Sequence, residues 1–254
     1  MNILRSLLHL LFMAVTVVPW AIFALLASVF VRGEKLYVIC VGWLRVVVWA
    51  AGWMLGIRNQ VIGYENLPTD RRAPAILLAK HQSTWETFSL PILMPHPLAF
   101  VFKKELLYIP FFGWAMSRLD MIHIDRSKRA QAFAKVVQQG RELMAQGVWV
   151  IMFPEGTRTP RGQQGEYKLG GTRLAVQTGA PVVPIAITSG RCWPRRALIK
   201  RPGTVVFSIG KPIPSVGRQP DELMREVEAW IEAEMRRLDP EAYPATAVTA
   251  TPGI

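Results

Sequence analysis

His81 stands just after a short apolar run, Ala75–Ala79, in the sequence Lys80-His81-Gln82-Ser83-Thr84-Trp85-Glu86. An imidazole is the side chain best matched to taking a proton near pH 7. A carboxylate nearby can hold one ring nitrogen and leave the other free. Five positions along an unbroken helix turn Glu86 about 500° from His81, so the two meet only if the chain turns between them. Ser83 supplies such a turn, because Ser83–Glu86 fits a capping box with Ser83 as N-cap and Glu86 in the first helical turn. Taken alone, the pattern also fits a plain helix cap beside an ordinary strand-end histidine. Ser83 is itself a candidate nucleophile for a covalent route, although capping would occupy its hydroxyl.

A second cluster, Phe153-Pro154-Glu155-Gly156-Thr157-Arg158, follows the strong strand pattern Val148–Phe153. Glycine lets a backbone approach a ligand closely, and the planar fork of Arg158 suits a phosphate. Lys103 and Arg126 also follow candidate strands and could join Arg158 around one phosphate. Each of these cations alone reads equally well as solvated surface charge.

The elements that must position these residues follow from composition and pattern. The chain has 254 residues, 51% hydrophobic and 19% charged, with a net charge of +12. That apolar content excludes a disordered chain, and two cysteines, Cys40 and Cys192, exclude a disulfide framework. Ser6–Val31 is 26 residues without a charge, and Leu36–Ile57 is 22 residues with only Arg45. Each is long enough to cross a bilayer as a helix. They read as helices Leu7–Phe30 and Leu36–Met54, spanning as a hairpin or lying partly in one leaflet, where Arg45, Trp43, Trp49 and Trp53 suit an interface. A pair of buried core helices is the alternative. The first run exceeds a signal-peptide core and no small-residue cleavage site follows, so a retained anchor is expected. Arg5, Arg58, Arg71 and Arg72 would put the rest of the chain on the cytoplasmic side.

Beyond residue 58 strands and helices alternate. Strands are expected at 60–64, 75–79, 99–102, 121–124, 148–153, 182–187 and 204–209, and helices at 84–93, 111–118, 129–146, 171–178 and 221–238. This predicts an α/β fold with a mostly parallel sheet flanked by helices, behind the two-helix membrane motif. Ligands in such folds gather at the carboxyl ends of the strands. The domains divide as 1–57, 58–240 and a Pro-rich tail, 241–254, expected to be disordered.

Together these segments resemble the 1-acylglycerol-3-phosphate acyltransferase family of phosphatidic acid synthesis. The resemblance covers about residues 58–215. Its blocks occur in family order: His81 to Glu86, Lys103–Gly113 running on to Ile124-Asp125-Arg126, Phe153–Arg158, and Val182-Val183-Pro184-Ile185. The family normally has Asp where this chain has Glu86. The resemblance implies that His81 takes the proton of the acceptor's sn-2 hydroxyl and Glu86 orients His81. It implies that Lys103, Arg126 and Arg158 bind the phosphate, and that Glu155 and Gly156 shape the glycerol pocket, with Thr157 also substrate-binding. Pro184 would support the site from behind. No metal and no cofactor are expected; acyl-CoA or acyl-carrier protein would be the acyl donor. The expected partners are a lysophospholipid, membrane lipids and possible acyl-carrier protein, with no nucleic acid: the charge suits one, but the two apolar segments do not. The implied setting is a bacterial-type cytoplasmic membrane. The competing readings are an acyltransferase for another lysolipid, such as a lyso-ornithine lipid, and a catalytically impaired lipid-binding protein.

Overall fold

Strands buried on both faces read as unbroken apolar runs, and the centre of this molecule is made of them. The computed structural model describes residues 1–70, 72–124 and 129–243, and the side chains of these except Lys103, Phe112 and 129–132. Seven strands form one sheet: β1 (Ile57–Ile62), β2 (Ile76–Ala79), β3 (Leu98–Lys103), β4 (Ile122–Ile124), β5 (Trp149–Met152), β6 (Val182–Ile187) and β7 (Gly203–Ile209). Their spatial order is β1-β7-β6-β2-β5-β3-β4. From β6 to β4 every pairing is parallel. β7 runs antiparallel to β6 and parallel to β1. The sheet is thus mostly parallel, as expected. Every residue of β2 and β6 is buried.

Among the described residues seven α-helices accompany the strands: α1 (Asn2–Ala27), α2 (Gly33–Leu55), α3 (Trp85–Leu93), α4 (Phe112–Met116), α5 (Arg129–Ala145), α6 (Gly170–Thr178) and α7 (Pro220–Leu238). Alternation along the strands splits the core in two. Leu77, Ala79, Ile151, Val183 and Ile185 pack with Ala51 and Leu55 of α2 and Trp85 and Leu90 of α3. Ile76, Leu78, Val150 and Val182 pack with Val136, Leu174, Val227 and Ile231 of α5, α6 and α7. Burying one such aliphatic side chain contributes about 1.5–3 kcal/mol.

α1 and α2 pair through polar contacts between apolar surfaces. Trp20 Nε1 donates to the Ile39 carbonyl at 3.0 Å, and Trp43 Nε1 to Thr16 Oγ1 at 3.1 Å. Gly42 makes room for Trp20, because a Cβ there would lie 2.9 Å from the indole. α2 packs on α3 and β1, while α1 leaves Leu4, Leu11, Val15, Ile22 and Leu26 exposed. Such a row of outward apolar side chains does not fit a buried core helix. Both helices are long and apolar enough to cross a membrane.

Several boundaries differ from the sequence expectation: α1 runs Asn2–Ala27 against an expected Leu7–Phe30, and α2 runs Gly33–Leu55 against Leu36–Met54. β1 begins at Ile57, three residues early, because Arg58 and Gln60 alternate with inward or half-buried neighbours on an edge strand paired to β7. Tyr243, expected in the tail, is buried, and its hydroxyl accepts a hydrogen bond from Gln82 Nε2 at 2.9 Å. The rest of the expected tail, 244–254, lies outside the described residues.

Candidate active site

The carboxyl ends of β2, β5 and β6 are neighbours, and their loops build the site. β2 ends at Ala79, so His81 emerges at the sheet edge. Its main chain is clamped from both sides by the loop after β5. The His81 N–H donates to Glu155 Oε2 at 2.8 Å, and the His81 carbonyl accepts the Thr159 N–H at 2.8 Å. Gly156 turns that loop at φ +65, with its N–H on the Phe153 carbonyl at 2.9 Å. A left-handed residue here favours glycine.

The His81 ring stacks on Phe153, with centroids 3.9 Å apart and planes 13° apart. Its Nδ1 is buried and has no hydrogen-bond partner among the described residues. That nitrogen faces Glu86 Oε2 at 3.9 Å, too long for a hydrogen bond. The side chain keeps 13% exposure, which leaves Nε2 as the nitrogen able to meet a substrate.

Glu86, fully buried, is held by donors around both oxygens. Oε1 accepts the Gln82 N–H at 2.7 Å, the Ser83 N–H at 3.0 Å and the Ser189 hydroxyl at 2.5 Å; Oε2 also accepts the Ser83 N–H at 3.1 Å. Residues 82–84 form the turn that lets Glu86 double back. The capping box is realised in altered form. Glu86 reaches back to the Ser83 N–H as expected, but Ser83 Oγ accepts the N–H of Trp85, at 3.0 Å, instead of that of Glu86, and α3 starts at Trp85.

Burial raises the Glu86 carboxyl to about 7, against the opposing pull of Ser189, Gln82 and Ser83. Burial lowers the His81 imidazole to about 3, and the Arg158 charge pushes it the same way. A neutral imidazole at pH 7 is the form a general base requires.

Arg158 points toward α3, its Nη1 donating to Thr84 Oγ1 at 2.8 Å. Thr157 and Gly156 are exposed, whereas Glu155 is buried. The Glu155 side chain turns inward: Oε1 meets Lys80 Nζ at 2.7 Å and Thr159 Oγ1 at 3.0 Å. Lys80 also contacts Glu232 Oε1 at 2.6 Å and the Gln163 carbonyl at 3.2 Å, so all three of its protons are used. Burial acts to lower the Lys80 ammonium, but Glu155 and Glu232 more than offset it, and the net shift is upward. Pro184 sits mid-strand in β6, in register with Leu78 of β2. Lys103 ends β3, and its side chain is not described; Arg126 lies outside the described residues. The structure therefore brings together His81, Glu86, Glu155 and Arg158.

Sequence reasoning missed several members. Lys80, fully buried beside His81, carried a signal in its place at the end of an apolar strand. Ser189 did too, falling just after β6 at the same sheet edge. Phe153 heads the second cluster, but its stacking on His81 was not foreseen. Arg195 and Arg196, which share a cleft with Thr157 and Arg158, sit in no motif.

Comparisons with known proteins bear on the family and the fold. A family model described as Acyltransferase matches residues 58–188. A 1-acyl-sn-glycerol-3-phosphate acyltransferase from Pseudomonas aeruginosa is 45% identical over 201 residues, covering 78% of this chain and 77% of that protein. One from Saccharomyces cerevisiae is 34% identical over 177 residues, covering 67% of this chain and 56% of the yeast protein. The crystal structure of the 1-acyl-sn-glycerophosphate (LPA) acyltransferase PlsC from Thermotoga maritima matches with a TM-score of 0.77 at 27% identity, over 94% of this chain and 96% of that one. The motif blocks, the sheet that aligns them and these matches lead to one conclusion: the chain belongs to the acyltransferase family.

Proposed function

We propose that this enzyme transfers a fatty acyl group from acyl-CoA or acyl-carrier protein to the sn-2 hydroxyl of 1-acyl-sn-glycerol 3-phosphate, giving phosphatidic acid, at a membrane surface. The observation that carries this reading is the His81 ring, fixed by Phe153 with Nδ1 toward Glu86, beside the Arg158 cleft. His81 Nε2 takes the hydroxyl proton as the oxygen attacks the thioester carbonyl carbon. The tetrahedral intermediate then expels the thiolate, and the imidazolium returns the proton to sulfur. A carboxylate at Glu86 closes its gap to Nδ1–H as positive charge grows on the ring, and apo contacts of this kind tighten in the substrate complex. Lys103, Arg126, Thr157 and Arg158 serve the phosphate, and Gly156 keeps the loop close to the glycerol. The inward Glu155 acts by holding the His81 backbone. No metal or cofactor takes part. The exposed apolar face of α1 keeps the enzyme where both acyl chains remain in lipid, and the basic domain favours anionic headgroups. The domain faces the cytoplasm on the charge argument above.

The test is turnover of the purified full-length enzyme with acyl-CoA or acyl-carrier protein and defined lysolipids in mixed micelles. Phosphatidic acid is the expected product. Transfer to a lyso-ornithine lipid with none to the phosphate acceptor would replace this reading.

The pH profile tests the pair. Glu86 is required as a carboxylate and its proton leaves near pH 7, so kcat/KM rises with pH through about 7 and falls below it. His81, neutral down to about 3, adds no limb in that window. Glu86→Asp keeps the charge and stays within about tenfold of wild type. Glu86→Gln loses about 10²-fold or more, together with the acid limb. Equal activity in all three proteins would leave Glu86 a helix cap only.

A further inference from the structure

Trp193 roots a loop beyond the segment that the family model matches. Its buried ring lies 5.7 Å from Trp85, 6.2 Å from Phe88 and 5.8 Å from His9. Next comes a turn closed by the Ala197 N–H on the Pro194 carbonyl at 3.1 Å, and its two central residues are Arg195 and Arg196. Arg196 is held at φ +59, where this turn position favours glycine or asparagine. The loop comes back with the Arg201 N–H on the Cys192 carbonyl at 2.8 Å. The Lys200 N–H donates to Ser6 Oγ of α1 at 2.9 Å, so the loop is seated against the start of the apolar hairpin.

This turn and the loop after β5 enclose a cleft of about 220 Å³ lined by Thr157, Arg158, Arg195 and Arg196. Among the described residues, none of these three arginines pairs with a carboxylate. Neighbouring Arg161, by contrast, is paired with Asp239, and Arg191 with Glu241. Three guanidinium groups around one small cleft repel each other until an anion joins them, and their planar forks match phosphate oxygens two at a time.

We propose that Arg195 and Arg196, with Arg158 and Thr157, form a pocket for a phosphate monoester, and that its occupant in turnover is the headgroup of the acceptor lipid. The second half of this assignment rests on the function proposed above. Arg158 bonds Thr84, three residues from His81, and in the acceptor the phosphate and the reacting hydroxyl sit on adjacent glycerol carbons. A phosphate in the cleft therefore sets the hydroxyl near the imidazole. The loop's seat on α1 puts the pocket next to the helix that meets lipid.

Arg196→Gly and Arg195→Gln test this in the full-length enzyme. Glycine accepts φ +59 freely, so Arg196→Gly keeps or raises the thermal midpoint, and a loss of function there cannot come from misfolding. Each variant is expected to raise KM for 1-acyl-sn-glycerol 3-phosphate about 10–100-fold, the range of one charge-assisted contact, with KM for acyl-CoA unchanged. A rise confined to the donor's KM overturns the headgroup assignment and gives the pocket to the phosphates of the thioester. Titration with glycerol 3-phosphate reads the pocket without turnover: wild type binds and the double variant does not. That arm stands even if the enzyme proves to acylate another lipid. Unchanged KM for both substrates, with equal glycerol 3-phosphate binding, overturns the proposal.

Discussion

His81→Ala is expected to lower kcat by about 10²–10⁴-fold, the contribution of a positioned general base, while the protein remains folded. The ring stacks on Phe153, and the two main-chain hydrogen bonds that clamp residue 81 involve only its N–H and carbonyl. Alanine preserves both. The loss therefore falls on chemistry, and KM for the acceptor should change little, since the arginine cleft is untouched. A lipid-binding protein without activity predicts the opposite pattern: no turnover to lose, and lysolipid binding equal in both proteins. Ser83→Ala is the companion experiment. Ser83 Oγ accepts the Trp85 N–H at 3.0 Å, so alanine costs about 1 kcal/mol of stability as a lost hydrogen bond and leaves kcat within about tenfold. Abolished turnover in a folded Ser83→Ala would mean a covalent route through the serine, with His81 as its base.

The contrast between these two residues shows what sequence could and could not say. Local chemistry was legible. His81, Ser83 and Glu86 lie within six positions, and the turn that joins them follows from a capping pattern. The sheet was legible too, because strands covered on both faces have little choice but continuous aliphatic residues, as in β2 and β6. Edge positions were harder: β1 is exposed on one side, and its Arg58 and Asn59 fall outside the expected strand until β7 is seen beside them. Side-chain direction was not legible at all. Glu155 and Arg158 share one motif, yet the turn at Gly156 sends the first inward to Lys80 and leaves the second toward the cleft. Nor could local pattern join Glu86 to Ser189, 103 positions away, or Lys80 to Glu232, 152 positions away. Those contacts exist because the sheet order sets β2 beside β6 and α7 packs on β6.

Lys80→Met is expected to be the most destabilising single substitution among these residues. Lys80 is fully buried, and its ammonium meets Glu155 at 2.7 Å and Glu232 at 2.6 Å. Glu232 Oε1 also accepts the Tyr167 hydroxyl at 2.8 Å, while its Oε2 has no partner among the described residues. Removing the cation strands two carboxylates in a dry interior, which costs about 3–5 kcal/mol. For a domain of this size that is a fall of about 6–20 °C in the thermal midpoint of the detergent-solubilised protein. Activity should fall as well, because Glu155 Oε2 holds the His81 N–H. The charge argument can be separated from a packing argument by neutralising the partners. Lys80→Met combined with Glu155→Gln and Glu232→Gln removes the stranded charges and is expected to regain most of the lost midpoint. If the single variant unfolds within a few degrees of wild type, the buried ion cluster is not what secures the histidine loop to α7. If the triple variant is worse than the single one, the penalty comes from shape and hydrogen bonding, not from unpaired charge.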